Sequence, residues 1–123
     1  MIQAFSQNIT VNAMQTIPFN GVSLQKGCTA TQTSPTTFAL NKCGVYMVSV
    51  GVSAAAAETI QLYKDGVAVQ EARRTGTSPS FTTLVQVDHN NSCCACDSPT
   101  IIQVMSVTAA TLADASIVIT KLA

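Results

Sequence analysis

The chain has 123 residues, six basic and six acidic, for a formal charge of zero, and only 10% of its positions are charged against roughly 25% in an ordinary soluble domain. That length suits one domain, residues 1–123, with a core of its own. The balance excludes a basic stripe able to neutralise phosphates, so nucleic acid is not an expected partner.

No apolar run approaches the roughly 18 residues of a membrane span, so no membrane partner is expected. The opening stretch MIQAFSQNITVNA lacks the basic start and apolar centre of a signal peptide. The expected site of synthesis is therefore a cytosol, with departure only as part of a larger particle. Twenty-seven positions are Ser or Thr, so the polar surface is mainly hydroxyl and amide. A weakly charged surface on an apolar chain favours self-association.

In chain order, Ile9 and Val11 alternate with polar neighbours as a short first strand. Thr16-Ile17-Pro18-Phe19 reads as extended, since proline pushes the residue before it out of the helical region. Asn20-Gly21 turns into Val22-Ser23-Leu24, and the Thr-rich run Gly27–Thr33 has strand propensity with few large apolar groups. Ser34-Pro35 turns the chain again. Phe38-Leu40 and Tyr46-Val48-Val50-Val52 then alternate around a polar break, Asn41-Lys42-Cys43-Gly44, which predicts a hairpin. Ser53–Glu58 is too short for an isolated helix and reads as a loop or a single turn. Asp65-Gly66 between alternating Ile60/Leu62 and Val67/Val69 is a strong hairpin signal. Gly76–Ser80 turns, Phe81–Val87 is a strand, and Asp88–Pro99 is the longest polar loop. Ile101–Val107 and Ser116–Leu122 close the chain as strands. The spacing predicts an all-β, antiparallel jelly-roll sandwich of eight to ten strands.

The ordered motifs carry a resemblance. Phe38, Leu40, Gly44, Tyr46 and Val48 are followed by Ile60, Leu62, Lys64, Asp65, Gly66 and Val67, and by a closing strand at Ile117–Leu122. This resembles the globular domain of the C1q/TNF superfamily, which implies a jelly roll that forms homotrimers. The sequence holds no collagen-like Gly-X-Y run, few aromatics at 5%, and no acidic cluster for calcium. Without those features it looks like the stand-alone bacterial and bacteriophage members. The resemblance thus implies a non-enzymatic structural protein of a virion, a capsid-decoration or head-fibre trimer. Its expected partners are its own copies and a major capsid or other virion protein. The alternatives are a receptor- or host-glycan-binding trimer of a phage tail or fibre, using the loops Ser53–Glu58 and Gly76–Ser80, or a bacterial surface or spore-coat trimer.

A physical account of trimerisation stands beside the resemblance. A strand face that meets water should be polar. Phe81, Val85 and Val87 lie on one parity with Leu84 on the other, and Ile117-Val118-Ile119 is apolar on both. Phe81, Val85, Val87, Ile117 and Ile119 are accordingly expected at the subunit contact.

Strand parity places all five cysteines, Cys28, Cys43, Cys93, Cys94 and Cys96, at one pole, with His89 nearby. Three states stay open: disulfides, with Cys28 and Cys43 a natural pair; reduced, partly buried thiols; or a zinc site, for which five Cys and one His suffice in number. The C-C-x-C spacing is not that of a standard zinc knuckle, and no other cofactor is indicated. No catalytic residues are expected: there is one histidine, no G-x-S-x-G elbow, no phosphate loop, and no acidic pair suited to acid–base work.

Overall fold

The side-chain alternation of Tyr46, Val48, Val50 and Val52 puts all four into the interior, and the strand that carries them runs through the middle of one sheet. The computed structural model describes residues 1–27, 29–87 and 100–122. Among the described residues there are eleven strands and no helix. They are β1 (Ile2–Val11), β2 (Gln15–Thr16), β3 (Gly21–Gln25), β4 (Ala30–Ser34), β5 (Thr37–Leu40), β6 (Gly44–Ala54), β7 (Glu58–Lys64), β8 (Val67–Gly76), β9 (Ser80–Val87), β10 (Thr100–Ser106) and β11 (Ala110–Lys121). The count exceeds the expected eight to ten because β2 is a two-residue pairing with the end of β10.

Two antiparallel sheets face each other. One has the order β3-β1-β11-β6-β9; the other runs β4-β5-β10-β7-β8, with β2 beside β10. Their inner faces meet in a single cluster that includes Ile2, Phe38, Leu40, Tyr46, Leu62, Ile102, Leu112 and Ile117. The stretch at 17–20 is not a strand. It crosses the open side of the sandwich, with Ile17 N donating to Val104 O at 2.8 Å and Phe19 N to Pro35 O at 2.7 Å. Phe19 stacks edge-on against Phe38 with ring centroids 5.7 Å apart, which seals the interior there.

Two local departures from period two keep β1 and β11 in step. Buried positions on β1 are Ile2, Ala4 and Ser6, then Val11, an odd jump that spans Asn8 at φ 53°. On β11 the jump falls between Leu112 and Ala115, where the ladder to β6 also shifts register. Both strands change parity at the same level, so neither turns its apolar side outward. The first strand is therefore longer than Ile9 and Val11 suggest.

A wide bulge interrupts β8. Gln61 pairs with Arg73 while Tyr63 pairs with Ala68, leaving Val69–Ala72 outside the ladder. The buried amide of Gln61 donates to the carbonyls of Leu62, Val69 and Ala72 and takes over the missing ladder bonds.

The expected hairpin at Asn41–Gly44 is not formed. β5 pairs with β4 and β10, whereas β6 pairs with β11 and β9, so the break carries the chain from one sheet to the other. The polar residues and glycine of this stretch mark a turn correctly, but a turn signal does not say whether the strands it joins will pair. The hairpin at Asp65-Gly66 does form, with both residues at positive φ (51° and 81°), as a two-residue primed turn requires.

The five residues expected at a subunit contact lie inside the protomer instead. Phe81, Val85, Ile117 and Ile119 belong to the core, and Val87 is half-buried against it. Ile117→Ala should therefore lower protomer stability by about 2–5 kcal/mol, the range for emptying a buried isoleucine. In chemical denaturation that loss should be the same at all protein concentrations, as expected of a core residue.

Candidate interaction face and the cysteine pole

Cross-strand partners in a sheet share a face, so the registers of the β3-β1-β11-β6-β9 sheet give its outward surface directly. One row across it reads Leu24, Gln3, Val118, Ser49, Thr82. The next row toward the β6 start holds Thr120, Met47 and Leu84. On the other side lie Phe5, Ser116, Gly51 and Ser80. Leu84 is 59% exposed and Phe5 43% exposed. The Phe5 ring rests on Gly21, where an added Cβ would sit 2.7 Å from the ring, so glycine is needed for the ring to lie flat. Ser49 Oγ and Thr82 Oγ1 share a hydrogen bond at 3.1 Å.

The five strands of this sheet contain only two charged residues, Asp114 and Lys121. Asp114 accepts from Gln7 Nε2 near one end, at 3.3 Å. Lys121 lies at the opposite end, across from Tyr46. Between them the face is apolar and hydroxyl-bearing, and a second surface could cover it without stripping water from any charge. The opposite parity, with Phe81, Val85, Ile117 and Ile119, is the side that forms the core. The signal for the true outward set, Leu84 and Val118 with Met47, was present in the alternation; what parity lacked was which side met the other sheet.

One pole is built around Tyr46 and Cys43. Tyr46 is fully buried, yet its hydroxyl is hydrogen-bonded: it donates to Lys42 O at 2.7 Å, with Thr29 O at 3.3 Å, and accepts from Lys42 N at 3.3 Å. This clasps the crossing segment to the end of β4, where Asn41 N also donates to Thr29 O at 2.8 Å. Cys43 is disulfide-bonded. Cys28, Cys93, Cys94, Cys96 and His89 lie outside the described residues.

The residues flanking those positions converge here. Lys64 Nζ donates to Gln86 O at 2.6 Å, beside Val87. Asp65 takes the Ile101 amide on Oδ1 at 2.8 Å and returns its own amide to Ile101 O at 2.8 Å, beside Thr100. Among the described residues no three His, Cys, Asp or Glu side chains come together as a metal site.

The opposite pole carries the loops around Ser53–Glu58 and Gly76–Ser80. They touch: Ala54 N donates to Thr77 O at 2.8 Å, Val52 N to Pro79 O at 3.1 Å, and Glu58 pairs with Gly76. A cavity of about 410 Å³ opens at this pole between Thr10, Val11, Asn12, Ala55, Ala56 and Ala109–Thr111.

No protein-family model and no curated protein matches the sequence. Solved structures do match over nearly the full length. The globular domain of zebrafish complement 1qA protein superposes with a TM-score of 0.77 at 10% identity, covering 99% of this chain and 96% of that one. The phage PRD1 vertex protein P5 gives 0.68 at 12% identity, with the same two coverages of 99% and 96%. Murine APRIL gives 0.64 at 12% identity, with 98% of each chain covered. The fold is the C1q/TNF-like jelly roll.

Tyr46→Phe should cost about 0.5–1.5 kcal/mol, the range for losing an ordinary hydrogen bond, because the part-buried Lys42 backbone would lose its side-chain partner. Thermal or chemical denaturation reads the loss, and non-reducing peptide mapping should recover Cys43 in a disulfide-linked fragment.

Proposed function

We propose that this chain is a non-enzymatic structural module that assembles as a homotrimer on a bacteriophage particle, as a capsid-decoration or head-fibre protein. The observation that carries the self-association is the outward face of the β3-β1-β11-β6-β9 sheet. Leu84 and Phe5 stand exposed on it with Met47 and Val118 between them, and the charges are confined to its ends. Covering such a face with two further copies removes apolar area from water at roughly 25 cal/mol per Å² with little desolvation cost. The likeness to a phage vertex protein over 99% of the chain supports a place on a virion.

The Cys43 disulfide suits a particle that persists outside cells, where oxidised bridges survive. Cys28 is the partner we propose for it, because its neighbour Thr29 is bonded to Asn41 and Tyr46 on either side of Cys43.

A second reading has a specific observation in its favour. The cavity beside Ser53–Glu58 sets the polar groups of Thr10, Asn12 and Thr111 around an otherwise apolar lining of Val11 and four alanines, a combination open to the hydroxyls and the apolar face of a host-surface glycan. A bacterial surface or spore-coat trimer would use the same assembly face.

Light scattering should give a mass of three chains for the wild type and of one chain for Leu84→Lys, which places a charge on the most exposed apolar side chain of the face, on its edge strand β9. Binding of the purified trimer to capsids stripped of accessory proteins supports decoration. Binding to host cells, lost on filling the cavity with Ala56→Trp, supports the glycan reading.

A further inference from the structure

Glu58 begins β7, is 1% exposed, and has no charged partner among the described residues. Its Oε2 lies 2.9 Å from Ser106 Oγ, and Ser106 Oγ lies 2.6 Å from Thr108 O. Ser106 is itself fully buried and owns one hydroxyl proton. A carbonyl oxygen can only accept, so the short contact to Thr108 takes that proton. The contact to Glu58 is then complete only if the carboxyl supplies a proton of its own to Ser106 Oγ. With Glu58 ionised, two contacts compete for one proton. Oε1 has no hydrogen-bond partner among the described residues, so a negative charge there would be buried without compensation.

The neighbouring elements offer no cation to offset this. β10 carries no titratable side chain, and neither do the segments at 55–57, 77–79 and 107–109. On β8, Glu71, Arg73 and Arg74 are exposed, and Arg74 Nη1 is turned onto the carbonyls of Glu71 and Arg73. On β11, Asp114 is exposed and bonded to Gln7. Burial holds the Glu58 carboxyl above the usual carboxylate range; the Ser106 hydroxyl opposes this only when its proton points to Glu58, an orientation that competes with the shorter contact to Thr108 O.

The proton chain also anchors the turn between β10 and β11. Val107 N donates to Thr59 O at 2.8 Å, and Thr59 N to Thr108 Oγ1 at 3.3 Å. That turn leads into Ala109 and Ala110 on the rim of the cavity, and the segment preceding Glu58 supplies Ala55 and Ala56.

We propose that Glu58 is a proton-held latch: the fold keeps its carboxyl neutral, and loss of that proton loosens the 107–109 turn and reshapes the cavity pole. The inference stands on this hydrogen-bond chain and not on where the protein acts.

The sign follows from linkage. The native state holds the proton at pH values where the unfolded chain has released it, so folding is most favoured in acid. That advantage declines as pH rises from the ordinary carboxylate range through the raised value. Each pH unit between the two values shifts the folding equilibrium about tenfold.

The test combines carbon-13 NMR titration of the Glu58 carboxyl in the wild type, hydrogen exchange at the Val107 amide corrected for base catalysis, and denaturation between about pH 4 and 8. The last two are repeated on Glu58→Gln, which keeps the shape and supplies a permanent donor to Ser106. The expected result is a carboxyl titrating above the usual range, with Val107 protection and stability falling through that titration in the wild type and not in the variant. A carboxyl that titrates in the ordinary range overturns the proposal, as do parallel pH profiles for the two proteins. Should the variant fail to fold, the wild-type titration and exchange decide alone.

Discussion

Pairing of β6 with β11 is the constraint on which the domain is built. These are the two longest strands, they lie side by side over Tyr46–Ala54 and Leu112–Lys121, and each sends a row of β-branched or aromatic groups inward. Val48 with Ile119 and Val50 with Ile117 are direct cross-strand partners, and the opposite sheet closes over them. Because the side-chain period is two, fixing this register also fixes the outward row of Met47, Ser49, Val118 and Thr120. The same pairing thus decides both what fills the interior and what faces outward.

The crossing at Asn41–Cys43 shows how a two-sheet body is tied without a local hairpin. The backbone of Lys42 cannot join a ladder there, so Tyr46 reaches back from β6 and satisfies both its amide and its carbonyl. A side chain substitutes for sheet pairing at the point where the chain leaves one layer for the other. The disulfide at Cys43 lies within the same few residues. At the far pole the tie is made instead by Glu58, Ser106 and Thr108.

How far such features could be read in advance depended on the range of the interaction. Tyr46 to Val52 were legible as a buried row because β6 keeps its period unbroken along that row. The Asp65-Gly66 hairpin was legible because its turn chemistry is contained in two residues. The inward side of β9 and β11 was not: alternation groups Phe81 with Val85 and Ile117 with Ile119, but only the position of the second sheet says which group faces it. The parity change at Asn8 and at Leu112–Asp114 depends on two strands about a hundred positions apart adjusting together. Glu58 followed four alanines and carried a charge, so it read as the end of a loop; its burial comes from β8 and β10 closing around it.

The arch of Val69–Ala72 over Gln61 has a consequence for assembly. β8 is the outer member of its sheet, and an uninterrupted outer strand invites another chain to extend the hydrogen-bonding lattice without limit. Here the ladder breaks at Val69–Ala72, where carbonyls turn inward onto the Gln61 amide, so β8 does not present one continuous outer strand. Open-ended growth into fibrils is thereby discouraged at that margin.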